Sequence, residues 1–162
     1  RSRIAEYFSL SQQNVHAYVL GEHGDSSFIP WSLANISNVP TSRYHEAVTN
    51  KTYEPIDKER ELEYVRKSGA DVIGRKGATF YAVSASVCHI CKCLLSGFDT
   101  PLTVSTMLHG EYGIDDVCLS LLNIVGKGKV NGKVILNLNE KEIAELKASA
   151  ESLKEIIRNT EI

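Results

Sequence analysis

The stretch Gly126-Lys127-Gly128-Lys129-Val130-Asn131-Gly132 separates two apolar runs, Val117 to Val125 and Val134 to Leu138. Glycines spaced like this can cradle a pyrophosphate only when a helix follows them and presents its N-terminus to the phosphates. Here a β-prone run follows instead, so the glycines read as a turn between paired strands. A third run, Leu102-Thr103-Val104-Ser105-Thr106, alternates with period two as a half-buried strand should. No strand-helix-strand repeat accompanies these runs. The reading is an α+β domain of antiparallel strands packed with long helices, spanning residues 1 to 162.

The helices have clear signals. Ser2 to Leu10 carries Ile4, Tyr7 and Phe8 at helical spacing. Asp57-Lys58-Glu59-Arg60-Glu61 opens a second helix, with its acids suited to the positive end of the dipole and its charges to a solvated face. Gly74 to Gly77 bend or break it. The next helix starts at Ala78 and is apolar almost all round through Leu95, which predicts a place in the middle of the domain. Asn139 with Glu142 forms a capping pair for a closing helix whose Ile143, Leu146, Ala150, Leu153 and Ile157 share one face. Residues 38 to 55 hold only turn signals and read as a loop.

Composition narrows the function. The chain has a net charge of −2, with 43% hydrophobic and 23% charged residues, as an ordinary soluble domain does. That balance makes no electrostatic case for nucleic acid or an anionic membrane. No apolar run approaches the length of a membrane span, and the start at Arg1-Ser2-Arg3 suggests a processed or deliberately cut chain. Cys88, Cys91 and Cys93 lie within one helix with Cys93 off the common face, so they read as small buried thiols in a reducing cytoplasm, with no metal site.

The chemistry concentrates in Leu20-Gly21-Glu22-His23-Gly24-Asp25-Ser26, which the β-prone run Val15 to Leu20 delivers to the end of a buried strand. Glycines flanking His23 allow a sharp turn and a close ligand approach, and imidazole exchanges protons near neutral pH. From chemistry alone, His23 serves equally well as a catalytic acid or as a hydrogen-bonded structural residue. Thr79 is open in the same way, either capping its helix or facing a pocket. Ser68-Gly69-Ala70 supplies small side chains that either pack closely or leave room for a substrate.

The motif resembles the active-site signature of the L-lactate dehydrogenases of the lactate/malate dehydrogenase superfamily, bacterial type. The likeness continues through Phe28-Ile29-Pro30-Trp31-Ser32, Lys76-Gly77-Ala78-Thr79, Glu111 to Val117 and Leu153-Lys154-Glu155-Ile156. It covers the chain but only the C-terminal, substrate-binding part of the family protein, with the Rossmann domain absent. The resemblance implies that His23 is the proton donor and acceptor in interconverting pyruvate and L-lactate with NADH and NAD. It further implies that Thr79 lines the substrate pocket and Val83 touches the nicotinamide ring. Arg1 and His16 match the residues that bind fructose 1,6-bisphosphate across a subunit interface in allosteric bacterial enzymes, although His16 also reads as a plain strand histidine.

The family's histidine-orienting carboxylate and carboxylate-gripping arginine would lie just before Arg1. The chain alone is therefore expected to be nearly inactive, and to act within a cytoplasmic homotetramer of glycolysis and fermentation. Glu22 and Asp25 point to different sides and do not replace the missing carboxylate. The alternatives are a malate dehydrogenase, disfavoured by Glu22, a 2-hydroxyisocaproate-type enzyme, disfavoured by Asp25, and a non-catalytic oligomerisation domain built on the apolar helices.

Overall fold

A computed structural model describes residues 1–160. Its centre is a three-stranded antiparallel sheet: β4 (Thr100–His109), β5 (Asp115–Gly126) and β6 (Lys129–Lys133), in that order. β5 pairs with β4 over nearly its whole length, with Thr100 opposite Val125 and Met107 opposite Cys118. The turn from β5 to β6 runs through Lys127 and Gly128, both at positive φ, as a two-residue hairpin of strand-matching twist requires. The glycine stretch is thus a hairpin.

The inner face of β5 carries the core. Val117, Leu119 and Leu121 alternate inward and pack with Leu20, Phe28, Leu108 and Ile114 against the closing helix α5 (Glu140–Asn159), which contributes Leu146 and Ala150. α5 starts on the expected cap. The Asn139 side chain accepts from Glu142 N–H at 3.0 Å, and the Glu142 carboxylate accepts from Asn139 N–H at 3.0 Å. The same buried carboxylate also receives Ser32, backbone N–H at 3.0 Å and hydroxyl at 2.6 Å, so the cap joins α5 to a distant loop. At the far end of the predicted face Ile157 is 53% exposed, so the apolar stripe outruns the core.

A smaller layer surrounds Phe8. The first helix, α1 (Ser2–Tyr7), precedes β1 (Val15–His16), which pairs antiparallel with β2 (Asn35–Ile36), itself paired with β3 (Val39–Pro40). The strand expected to run unbroken from Val15 to Leu20 is therefore two residues long. After it the chain pairs again only at the Leu20 and Gly21 bridges.

Other expectations also give way to tertiary contacts. Residues 38 to 55 were expected to be irregular, yet α2 (Thr41–Ala47) forms there, with Thr41 buried and Tyr44 edge-on to Phe8 at 4.9 Å. Tyr53, from the same stretch, packs on Phe8 at 5.0 Å and donates its hydroxyl to Phe8 C=O at 3.1 Å. Val134 to Leu138 is not a strand. Val134 makes one ladder bond, N–H to Leu122 C=O at 2.8 Å, and then Tyr112 takes over. The Tyr112 hydroxyl donates to Leu136 C=O at 2.9 Å and accepts Leu136 N–H at 2.7 Å, replacing a strand partner with one side chain. Burial pushes the Tyr112 phenol above its ordinary range, which keeps this donor protonated.

Two long helices stand outside the core. α3 (Lys58–Lys76) is capped by Asp57, which accepts from Arg60 N–H at 3.0 Å, and runs through Gly74 to end at Gly77, φ 78°. The break expected at Gly74 is thus only the cap at Gly77, where left-handed geometry suits glycine. α4 (Phe80–Leu95) was expected at the centre, but among its residues only Cys93 is buried, and Phe80, Tyr81, Val83 and Leu95 are exposed. The expected burial of the thiols fails with it: Cys88, Cys91 and Cys118 are exposed, and all four cysteines are free.

Candidate active site

The His23 segment is a closed loop. Leu20 and Phe28 pin its ends by paired backbone bonds, Leu20 N–H to Phe28 C=O at 2.9 Å and Phe28 N–H to Leu20 C=O at 3.0 Å. Ser27 N–H to Gly24 C=O at 3.1 Å closes a turn inside it. Gly21 then exchanges bonds with Ser120 of β5, at 3.1 and 2.8 Å. Gly21 adopts φ +92°, and a Cβ there would sit 2.8 Å from Ser149 Oγ, so both conformation and space require glycine.

Ser149, fully buried in α5, is what occupies that space. Its hydroxyl accepts Glu22 N–H at 2.8 Å and lies 2.9 Å from Ser26 Oγ, while Ser26 also bonds the Glu22 carboxylate. Glu22 is thereby turned inward onto the loop's own serine. Its carboxylate is bonded to Ser26 rather than to His23, in keeping with the expectation that Glu22 does not orient the imidazole. Asp25 is exposed.

His23 itself is exposed at the mouth of a cavity of about 830 Å³. The opposite wall is α3, which presents Val65, Ser68, Gly69, Ala70 and Ile73. The floor comes from β4 and β5 through Leu102, Thr103 and Ser120, and Arg1 reaches the rim. The small trio Ser68-Gly69-Ala70 therefore opens space facing the histidine. Arg66 fastens this wall: its Nε and Nη2 both donate to Ser27 C=O, at 3.0 and 2.5 Å.

The other singled-out residues lie elsewhere. Thr79 is half-buried at the N-cap of α4, where its side chain makes no capping bond, and Val83 is exposed one turn on; neither lines the His23 cavity. His16 is exposed on β1, also outside the cavity. Arg1 Nε donates to Ala17 C=O at 3.4 Å, a contact with the backbone after His16 and not with its imidazole. Sequence reasoning missed Arg66, Ser120 and Ser149. Ser149 is 127 positions from Glu22, beyond any local pattern, whereas Arg66 sits one turn before Gly69 and Ala70 and could have been suspected from that spacing. Among the described residues, no group of three or more His, Cys, Asp or Glu could hold a metal ion, and no helix is long and apolar enough to cross a membrane.

A loop-borne histidine thus faces a small-residue helix wall, on an antiparallel sheet closed by a capped helix. Residues 1–161 match the family described as lactate/malate dehydrogenase, alpha/beta C-terminal domain, and the chain belongs to that family. Among named relatives, the L-lactate dehydrogenase of Acetivibrio thermocellus is 41% identical over all of this chain and 51% of its own length. That of Shouchella clausii is 40% identical over 95% of this chain and 47% of its own. The solved structure of L-lactate dehydrogenase from Clostridium thermocellum superposes at TM-score 0.86 and 34% identity, covering 99% of this chain and 52% of that one. A minor L-lactate dehydrogenase from Enterococcus mundtii superposes at 0.87 and 29% identity over 99% of this chain and 51% of that one. The chain thus spans about half the length of the relatives it matches.

Proposed function

We propose that this chain is the catalytic half of an L-lactate dehydrogenase, in which His23 exchanges a proton with the 2-oxygen of pyruvate and lactate. The observation that carries the reading is His23 at the mouth of the cavity walled by Ser68-Gly69-Ala70. A positioned general acid contributes about 10²- to 10⁴-fold to such a step. His23 gives its proton as the carbonyl oxygen gains charge and takes it back in the reverse direction.

The cavity fits a nicotinamide beside the substrate. At about 830 Å³ it exceeds the need of a three-carbon acid, and Val65, Ile73 and Leu102 offer an apolar wall for a flat ring. NAD supplies the hydride when bound. For Thr79 as a substrate contact and Val83 as a nicotinamide contact the support is the family resemblance, since both stand outside the cavity on α4.

Further parts of the proposal concern assembly and regulation. The exposed apolar side chains of α4 support a homo-oligomer, with Phe80 and Tyr81 among the surface it covers. Arg1, bonded to the backbone beside His16, and His16 itself support a phosphate site for fructose 1,6-bisphosphate, since arginine and protonated histidine suit phosphate. Four free cysteines accord with a cytoplasmic protein.

The test joins this chain to the N-terminal half of the Acetivibrio thermocellus relative and follows NADH absorbance with pyruvate and with oxaloacetate. Turnover of pyruvate that falls at least about 100-fold on His23→Asn supports the proposal. Preference for oxaloacetate, or indifference to His23→Asn, overturns it. In the same protein His16→Ala should abolish activation by fructose 1,6-bisphosphate, and unchanged activation removes that site.

A further inference from the structure

Resting on that reading, we infer that Arg66 is a positioning residue that sets the width of the His23 cavity and thereby the size of 2-keto acid it admits. α3 provides one whole wall of that cavity, yet among the described residues none of its own is buried. Half-buried Leu62, Val65 and Ser68 give the wall only partial cover. Two guanidinium contacts fasten it. Near its N-terminal end Glu61 takes a two-pronged bond from Arg3, Nη2 to Oε1 at 2.9 Å and Nε to Oε2 at 3.1 Å. One turn and more further on, Arg66 donates twice to Ser27 C=O.

Arg66 is the contact that matters for the cavity. Ser27 belongs to the Gly24–Ser27 turn that immediately follows His23, and it is buried. Ser68, Gly69 and Ala70 lie within the next turn of α3. The clip thus links the histidine loop to the small-residue wall across the substrate space through a single carbonyl. A charged donor on a buried carbonyl is among the stronger hydrogen bonds, and a guanidinium presents two N–H groups to it in fixed geometry. A lysine keeps the charge but not the fork.

Removing the clip frees the wall to move outward, so bulky keto acids gain access while pyruvate loses its close fit. In the joined enzyme, Arg66→Gln is expected to lower the preference for pyruvate over phenylpyruvate, as the ratio of kcat/KM values, about tenfold, with Arg66→Lys between the two. An equal fall for both acids, with the ratio kept, would mean that Arg66 only stabilises the fold and overturns the inference. The second arm uses this chain by itself and reads amide hydrogen exchange. Arg66→Gln should speed exchange of residues 65 to 73 about tenfold relative to α5. Unchanged exchange there overturns the clip. If the joined parent reduces no keto acid the proposed function fails, while the exchange arm still decides whether Arg66 fastens the wall.

Discussion

α3 and α5 are nearly equal in length, 19 and 20 residues, both begin on a side-chain cap, and both carry acids in the first turn and a base in the last. They are held in opposite ways. α5 buries Leu146, Ser149 and Ala150 against the sheet and receives the loop serine Ser32 at its cap. α3 has no fully buried residue among those described, and touches the rest of the domain through Arg3, Arg66, Lys58 over the Trp31 ring and half-buried side chains such as Leu62 and Val65. One helix is part of the core and the other is a half-covered wall beside His23. The difference shows how a site can have one rigid side, carrying the histidine loop on Ser120 and Ser149, and one side governed by a few polar bonds.

The comparison can be broken by substitution, most forcefully at Leu146. Leu146→Ala opens a cavity in the main core and should cost about 2–5 kcal/mol, read as a lower midpoint in urea with the slope kept. A loss under 1 kcal/mol would mean that α5 is as loosely held as α3. Asn139→Ala should cost about 0.5–2 kcal/mol at the cap of α5, and Asp57→Ala less, because only the Asn139 cap has the reciprocal Glu142 bond. Equal losses in the two helices would remove the distinction.

Acid sharpens it further. Lys133 Nζ, at 2.8 Å, and His109 N–H hold the Glu111 carboxyl down at about 2. Its unfolded value lies near 4.5, so the unfolded chain binds this proton first. The stability it contributes is fully present above about pH 4.5 and is lost as pH falls through about 2. Glu111→Gln should flatten that part of the acid-unfolding curve, whereas the α3 contacts should not alter it. The smallest effect is at Arg3, whose bond to Glu61 raises its own pKa. Arg3→Gln should cost about 1 kcal/mol, and the cost should shrink in 1 M salt only in part, because Glu61 is mostly covered while Arg3 is one-third exposed.

Much of the fold was legible because its signals are local. The β5–β6 turn follows from glycines with a strand behind them, and the α5 cap from Asn139 and Glu142 three residues apart. α2 was not legible, since its place depends on Tyr44 meeting Phe8, and neither was the end of β6, where Tyr112 substitutes for a strand. α4 misled for the opposite reason. Apolar residues all round a helix say that something covers it, but not that the cover belongs to the same domain. At the site, His23 stood out by the glycines around it, while Ser149 and Arg66 act from elements distant in sequence.

The order of residues thus determined the hairpin, the capped closing helix, the glycine-flanked histidine loop, and the family to which they belong. Those depend on backbone preference and neighbours within a few positions. Only the tertiary structure decided that Glu22 turns inward to Ser26 and that α3, held by guanidinium bonds, faces His23. The contacts that fix both, Glu22 N–H to Ser149 and Arg66 to Ser27, join residues 127 and 39 positions apart, and their energy appears only once folding has brought the partners within hydrogen-bond reach.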